Sequence, residues 1–176
     1  MPVCLTHTWV DERAYDPVTG QFWDQDFGEV RRHLESKGKR VFTVPNTLRA
    51  ASFPRVLTYV ASAPSGYLVP EAFLRLRDVV AAVARTSLHV PRWKQCPPLA
   101  GIDISDLVYE DEWNDCVSPR AAGHLLAARW VLRWKEAGLE IERFIYTFEN
   151  HSWERIVCDA FRRLYPEARL LAHQPD

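Results

Sequence analysis

Apolar residues along this chain switch between a period of two and a period near 3.6, and the switches mark out strands and helices. Val3 to Trp9 (VCLTHTW) is a β-branched and aromatic run, and Arg40 to Val44 (RVFTV), ended by Pro45-Asn46, is another. Between them Phe27, Val30 and Leu34 fall at helical spacing, and Gly38 stands where a helix closes with a left-handed residue. The pattern predicts a strand–helix–strand unit, which by the handedness rule is a right-handed parallel crossover.

In the middle, Ser52 to Ala61 reads as a short helix starting at Pro54, in preference to a strand through Val56 to Val60. Pro70 to Arg85 reads as one helix, with Pro70 near its start and Leu76, Val79, Val80 and Val83 on one face. Residues 87–117 hold Pro91, Pro97, Pro98, Gly101 and the run Glu110-Asp111-Glu112. That composition predicts a long ordered excursion whose carboxylates are a solvated surface. Ser118 as N-cap and Pro119 behind it open a helix to Ala137, which buries Leu126, Trp130, Trp134 and Ala137 and stops at Gly138. A strand follows over 141–148. Then comes a helix from Trp153 to Tyr165, capped by Ser152, with Glu154 in its first turn and Trp153, Ile156, Val157, Ala160, Phe161 and Leu164 on one stripe. Arg155, Asp159, Arg162 and Arg163 face away from that stripe, Pro166 ends the helix, and Arg169 to His173 is a last strand. Alternating strands and helices predict a single α/β domain: a Rossmann-like, open, mainly parallel sheet with helices on both faces.

Composition narrows the function classes. The chain has 176 residues, 47% hydrophobic and 26% charged, with a formal net charge of -1. Nothing there supplies the basic field that nucleic acid requires. Cys4, Cys96, Cys116 and Cys158 are scattered without a CxxC pair, so neither a zinc site nor a disulfide framework is indicated, and Cys4 and Cys158 sit in apolar segments as core thiols. No apolar run approaches the roughly 18 residues of a membrane span, the N-terminus lacks a signal-peptide pattern, and the cytoplasm is the default expectation. The glycine-rich, P-loop, zincin and nucleophile-elbow motifs are absent, and His7, His33, His89, His124, His151 and His173 show no metal-ligand spacing, so no metal or cofactor is implied. His33 lies on a helix flank and is expected to face solvent.

The candidate chemistry lies where the 141–148 strand breaks at Glu149-Asn150-His151 and a helix begins. In open α/β folds that carboxyl edge is where ligands sit. If the strands are parallel neighbours, His7 and His173 converge on the same edge, and Asp11 and Asp24 follow the first strand towards it. Glu149 there suits a general base towards a hydroxyl, Asn150 can hold a sugar hydroxyl as donor and acceptor, and Trp9 and Trp153 offer flat apolar faces. The plainer readings stand beside these: Glu149 and Asn150 as cap and turn, Trp153 as a core anchor, Asp24 as a loop cap.

At these residues the chain resembles a known family. The tail YTFENHSWERIVCDAFRRLYPEARLLAHQ is similar to a signature of bacterial surface-carbohydrate biosynthesis proteins, glycosyltransferases of the two-Rossmann-domain (GT-B) architecture. Tyr146, Glu149, Asn150, Trp153, Glu154 and Gln174 match it. Towards the N-terminus HTWVDERAYD and QFWDQDFG resemble the same family, with Trp9, Asp24, Phe27, Gly28, Gly38 and Pro45 in place. Two departures stand out. His173-Gln174-Pro175-Asp176 replaces an expected Tyr-Gln-His-Ser run, and the chain stops where a second Rossmann domain would begin.

The resemblance implies an acceptor-side domain of a longer enzyme, cytoplasmic, with a glycan as acceptor and a nucleotide sugar held by a second domain not in this chain. It implies Glu149 and Asp11 as catalytic residues, and Asn150, His151, Trp9, Asp24, His7, His173 and Gln174 as substrate-binding ones. It implies no metal or cofactor, peripheral membrane association through a lipid-linked acceptor, and no transfer by this chain alone. A domain parted from its partner should also expose an apolar patch near the last strand and the 87–117 excursion, with self-association as a consequence. The rival expectation is a non-catalytic Rossmann-like domain that binds a carbohydrate or a protein.

Overall fold

The structure is a computed structural model that describes residues 2–10, 24, 26–46, 58, 66–117, 119–149 and 151–174. Four strands form one all-parallel sheet: β1 (Val3–Trp9), β2 (Arg40–Asn46), β3 (Ile141–Thr147) and β4 (Arg169–His173), in the order β2-β1-β3-β4. Among the described residues five α-helices accompany them: α1 (Gly28–Ser36), α2 (Leu76–Ser87), α3 (Ser105–Val117), α4 (Pro119–Glu136) and α5 (Ser152–Leu164). This is the Rossmann-like α/β arrangement that the alternation of periods predicts.

Strand residues alternate between two faces, and the two faces differ in chemistry. Val3, Leu5, Val44, Phe144 and Tyr146 point to the side covered by α4 and α5, where they meet Trp130, Val131, Trp134, Val157 and Phe161. Cys4, Val41 and Ile145 point to the other side, under Phe27 and Leu34 at α1. The α1 side is thin and turns polar towards the carboxyl edge, with Thr6, Thr8, Thr43 and Thr147 all buried. Of the three residues at helical spacing, Phe27 and Leu34 pack on the sheet while Val30 is 38% exposed.

β2 is an edge strand, so Pro45, lacking an N–H, is tolerated within it, and the strand runs to Asn46 rather than ending at Val44. Its free edge is partly covered: Thr43 N–H donates to the Gly66 carbonyl at 2.6 Å, and Leu68 N–H donates back to Thr43 at 2.8 Å. Gly66 has φ +128°, a backbone conformation that calls for glycine.

The middle of the chain departs furthest from expectation. Pro70–Phe73 is a short 3-10 turn, the chain is extended at Leu74 and Arg75, and only then does α2 begin. More importantly, Leu76, Val79, Val80 and Val83 are exposed, whereas Asp78 and Ala82 are buried. The physical cause is Arg133 of α4. Its Nε donates to Asp78 Oδ2 at 2.8 Å, its Nη2 to Asp78 Oδ1, and its Nη1 to Glu136 at 2.5 Å. The guanidinium beside Asp78 holds that carboxyl well below the usual carboxylate range.

The 87–117 excursion contains a full helix, α3. Asp103 starts it by accepting from the N–H and hydroxyl of Ser105, at 2.9 and 2.6 Å. The proline and glycine signals lie before it, and the acidic run sits within it. Ala137, placed in the core by its spacing, is exposed because Gly138 (φ +77°) has already turned the chain. The Ser52 to Ala61 segment, apart from Thr58, and Ser118 lie outside the described residues.

Candidate functional site

β2 lies on one side of β1, and β3 and β4 on the other, so the crossovers diverge between β1 and β3. At such a switch point the carboxyl ends of the strands leave a crevice. Trp9 ends β1 there, and its indole N–H donates to Glu149 Oε1 at 3.1 Å. The other carboxylate oxygen, Glu149 Oε2, lies 3.1 Å from His151 Nε2. Both carboxylate oxygens of Glu149 are thus engaged.

The loop bearing these groups is pinned by Glu154. Its Oε1 accepts from the backbone N–H groups of Glu149 and His151, at 2.9 and 3.1 Å. That is the returning half of a capping box, with His151 as the N-cap residue and Glu154 third in the helix. Ser152 is therefore the first residue of α5 and not its cap. Its hydroxyl instead lies 3.1 Å from His124 Nδ1 on α4.

Beside this loop, on the α4 and α5 side of the sheet, is a cleft of about 620 Å³. His7, Trp130 and Trp153 make its aromatic wall, Trp9 and His151 its rim, and Asn46, Glu71, Asp111 and His124 add polar groups around it. The His7 ring lies 4.7 Å from that of Trp153, and 6.4 Å from that of Trp130 at an interplanar angle of 11°. Burial lowers the His7 pKa to about 4, so its imidazole is neutral at physiological pH and serves as an aromatic surface. Desolvation at the cleft raises the Glu71 carboxyl, although Glu71 as a residue stays exposed.

The opposite face of the sheet carries a separate group. Asp24 is buried, and its Oδ1 accepts from the Thr8 hydroxyl at 3.0 Å and from the N–H groups of Asp26 and Phe27 at 3.0 and 2.9 Å. Desolvation raises its carboxyl despite these donors, and Oδ2 has no partner among the described residues. The His173 ring packs on Phe27 with centroids 5.6 Å apart.

The structure therefore brings together His7, Trp9, Glu149, His151 and Trp153, and separates Asp24 and His173 from them. His173 does end its strand at the shared edge, where its carbonyl accepts from Phe148 N–H at 2.7 Å, but its ring is on the α1 side. Gln174 is exposed beyond β4, and Asp11 and Asn150 lie outside the described residues. Trp153 combines both of its readings, packing against the core and lining the cleft.

Sequence reasoning missed His124, Asp111, Glu71 and the cleft face of Trp130. One signal was available: His124, Ala127 and Trp130 recur at a spacing of three along α4 and share a helix face. Among the described residues no cluster of three or more His, Cys, Asp or Glu is placed to hold a metal ion, and no helix is long and apolar enough to cross a membrane. Compared with known proteins, the chain matches no family model, no curated protein and no solved structure.

Proposed function

We propose that this chain is the acceptor-binding domain of a glycosyltransferase for surface polysaccharide, and that a glycan occupies the aromatic cleft. The observation that carries the reading is the pairing of an aromatic wall with a carboxylate-held imidazole at one rim, at the crevice where α/β sheets take ligands. Pyranose rings present apolar C–H faces to aromatic rings, and their hydroxyls need the mixed donors and acceptors that Asn46, Glu71, Asp111 and His124 supply.

The role of base then passes from Glu149, the sequence expectation, to His151. Glu149, engaged at both oxygens, orients His151. His151, held by that carboxylate at the rim of the cleft, is the base in this reading. In the transfer step the acceptor oxygen bonds to the anomeric carbon of a nucleotide sugar, the bond to the nucleotide phosphate breaks, and the acceptor proton moves to His151.

The test is tryptophan fluorescence and saturation-transfer NMR of the chain against a panel of oligosaccharides and a panel of nucleotide sugars. Glycan binding that Trp9→Ala abolishes, with circular dichroism unchanged, supports the reading. Micromolar binding of a nucleotide sugar without any response to glycans overturns it.

A further inference from the structure

A second surface stands out away from the cleft. At about 100° per residue, Leu76, Val79, Val80 and Val83 occupy one arc of α2, centred roughly 130° from the buried edge of Asp78 and Ala82. Leu76 is 79% exposed and Val80 59%. The chain beyond the helix continues the theme, with Leu88 at 81%, and with Val90 and Trp93 also exposed. Scattered surface leucines need no explanation, but seven large apolar side chains within residues 76–93 do.

Charge decides what covers them. Residues 75–94 carry Arg75, Arg77, Arg85, Arg92 and Lys94 against a single carboxylate, Asp78, which is buried on Arg133. Arg75 lies 3.0 Å from Glu136 and Arg85 turns away from the arc to line a hollow with Asp159 of α5, while no ion pair engages Arg77, Arg92 or Lys94 among the described residues. Asp106 of α3 accepts the Trp93 indole N–H at 2.9 Å. Exposed aliphatic residues, an exposed tryptophan and unneutralised cations are the composition of a helix that lies in the plane of a membrane interface.

We infer that α2 and the segment following it dock on an anionic lipid surface. The apolar arc enters the headgroup boundary and the cations meet phosphate groups. This rests on the α2 region alone and is independent of what the cleft binds.

The experiment is flotation of the chain with phosphatidylcholine vesicles, with and without phosphatidylglycerol, at low and high salt. Expected is binding to the phosphatidylglycerol vesicles only, with release by salt. Each cation near such a surface is worth roughly fivefold in partition, so Arg77→Ala/Arg92→Ala/Lys94→Ala should weaken binding on the order of 100-fold. Leu76→Asp/Val80→Asp should abolish it, and both sites are solvent-exposed, so circular dichroism should stay unchanged. The salt response of the unmodified chain is a readout that needs no variant. Absence of flotation, or equal binding to both vesicle types, overturns the inference. So does a dimer dispersed by Leu76→Asp/Val80→Asp without vesicle binding, which assigns the face to a second copy of the chain.

Discussion

α5 and α2 are both short amphipathic helices packed on α4, yet they present opposite faces to it. α5 buries its stripe of Val157, Phe161 and their neighbours and leaves Arg155, Arg162 and Arg163 in solvent, as binary pattern dictates. α2 buries a carboxylate and an alanine and turns its valines outward. The difference is one residue on α4. Facing α5, α4 offers an apolar surface; facing α2, it offers Arg133, a buried cation that requires a carboxylate. A buried charge left without a partner costs several kcal/mol. Fully exposing one aliphatic side chain forgoes roughly 1.5–3 kcal/mol of burial, so the ion pair offsets one or two such losses and fixes which edge of α2 faces α4.

The largest expected effect follows from breaking that pair. Asp78→Ala leaves the buried Arg133 with Glu136 as its remaining carboxylate and should lower the thermal midpoint by about 10 °C. Asp78→Leu/Arg133→Leu should recover most of the loss, because a dry interface replaces the pair. A calorimetric scan of single and double variants checks both, and a double variant no better than the single would show that the pair does not govern the packing of α2.

The next effect sharpens the contrast from the α5 side. His7 is buried neutral with its pKa lowered to about 4, so between the ordinary histidine pKa near 6.5 and that value the unfolded chain binds more protons. Its contribution is complete above about pH 6.5 and is lost as pH falls towards 4, up to about 3 kcal/mol. Urea unfolding across this range should show the decline in the parent chain and its reduction in His7→Phe.

The smallest effect is the most direct comparison of the two stripes. Val80→Ala on the outward arc of α2 should change stability by no more than about 0.5 kcal/mol. Phe161→Ala on the inward stripe of α5 should cost about 3–5 kcal/mol. Denaturant midpoints measured side by side decide it, and similar losses for both would mean that the α2 arc is covered in solution.

Much of the architecture was legible because local rules and burial agree there. β1 falls where its β-branched and aromatic run places it, β4 where the short apolar run after Pro166 does, and Gly38 and Gly138 close α1 and α4 with positive φ. The α5 stripe needed only spacing. Part of the site was legible for the same reason, since a strand that ends before Glu149 and a helix that starts at Ser152 put the intervening loop at the sheet edge.

Tertiary structure decided what depends on residues distant in sequence. The periodicity of α2 cannot reveal Arg133, which lies 55 residues further on. Nor can strand assignment alone say that His7 and His173 project to opposite faces, because that follows from the alternation of each strand once paired. His124, Asp111 and Glu71 reach the cleft on elements with no shared motif. The sequence by itself determined the elements and the α/β class, through periods that each segment carries alone. Which face of α2 is buried, and which polar groups surround the cleft, were decided only in three dimensions, by electrostatic and packing partners that the chain brings together on folding.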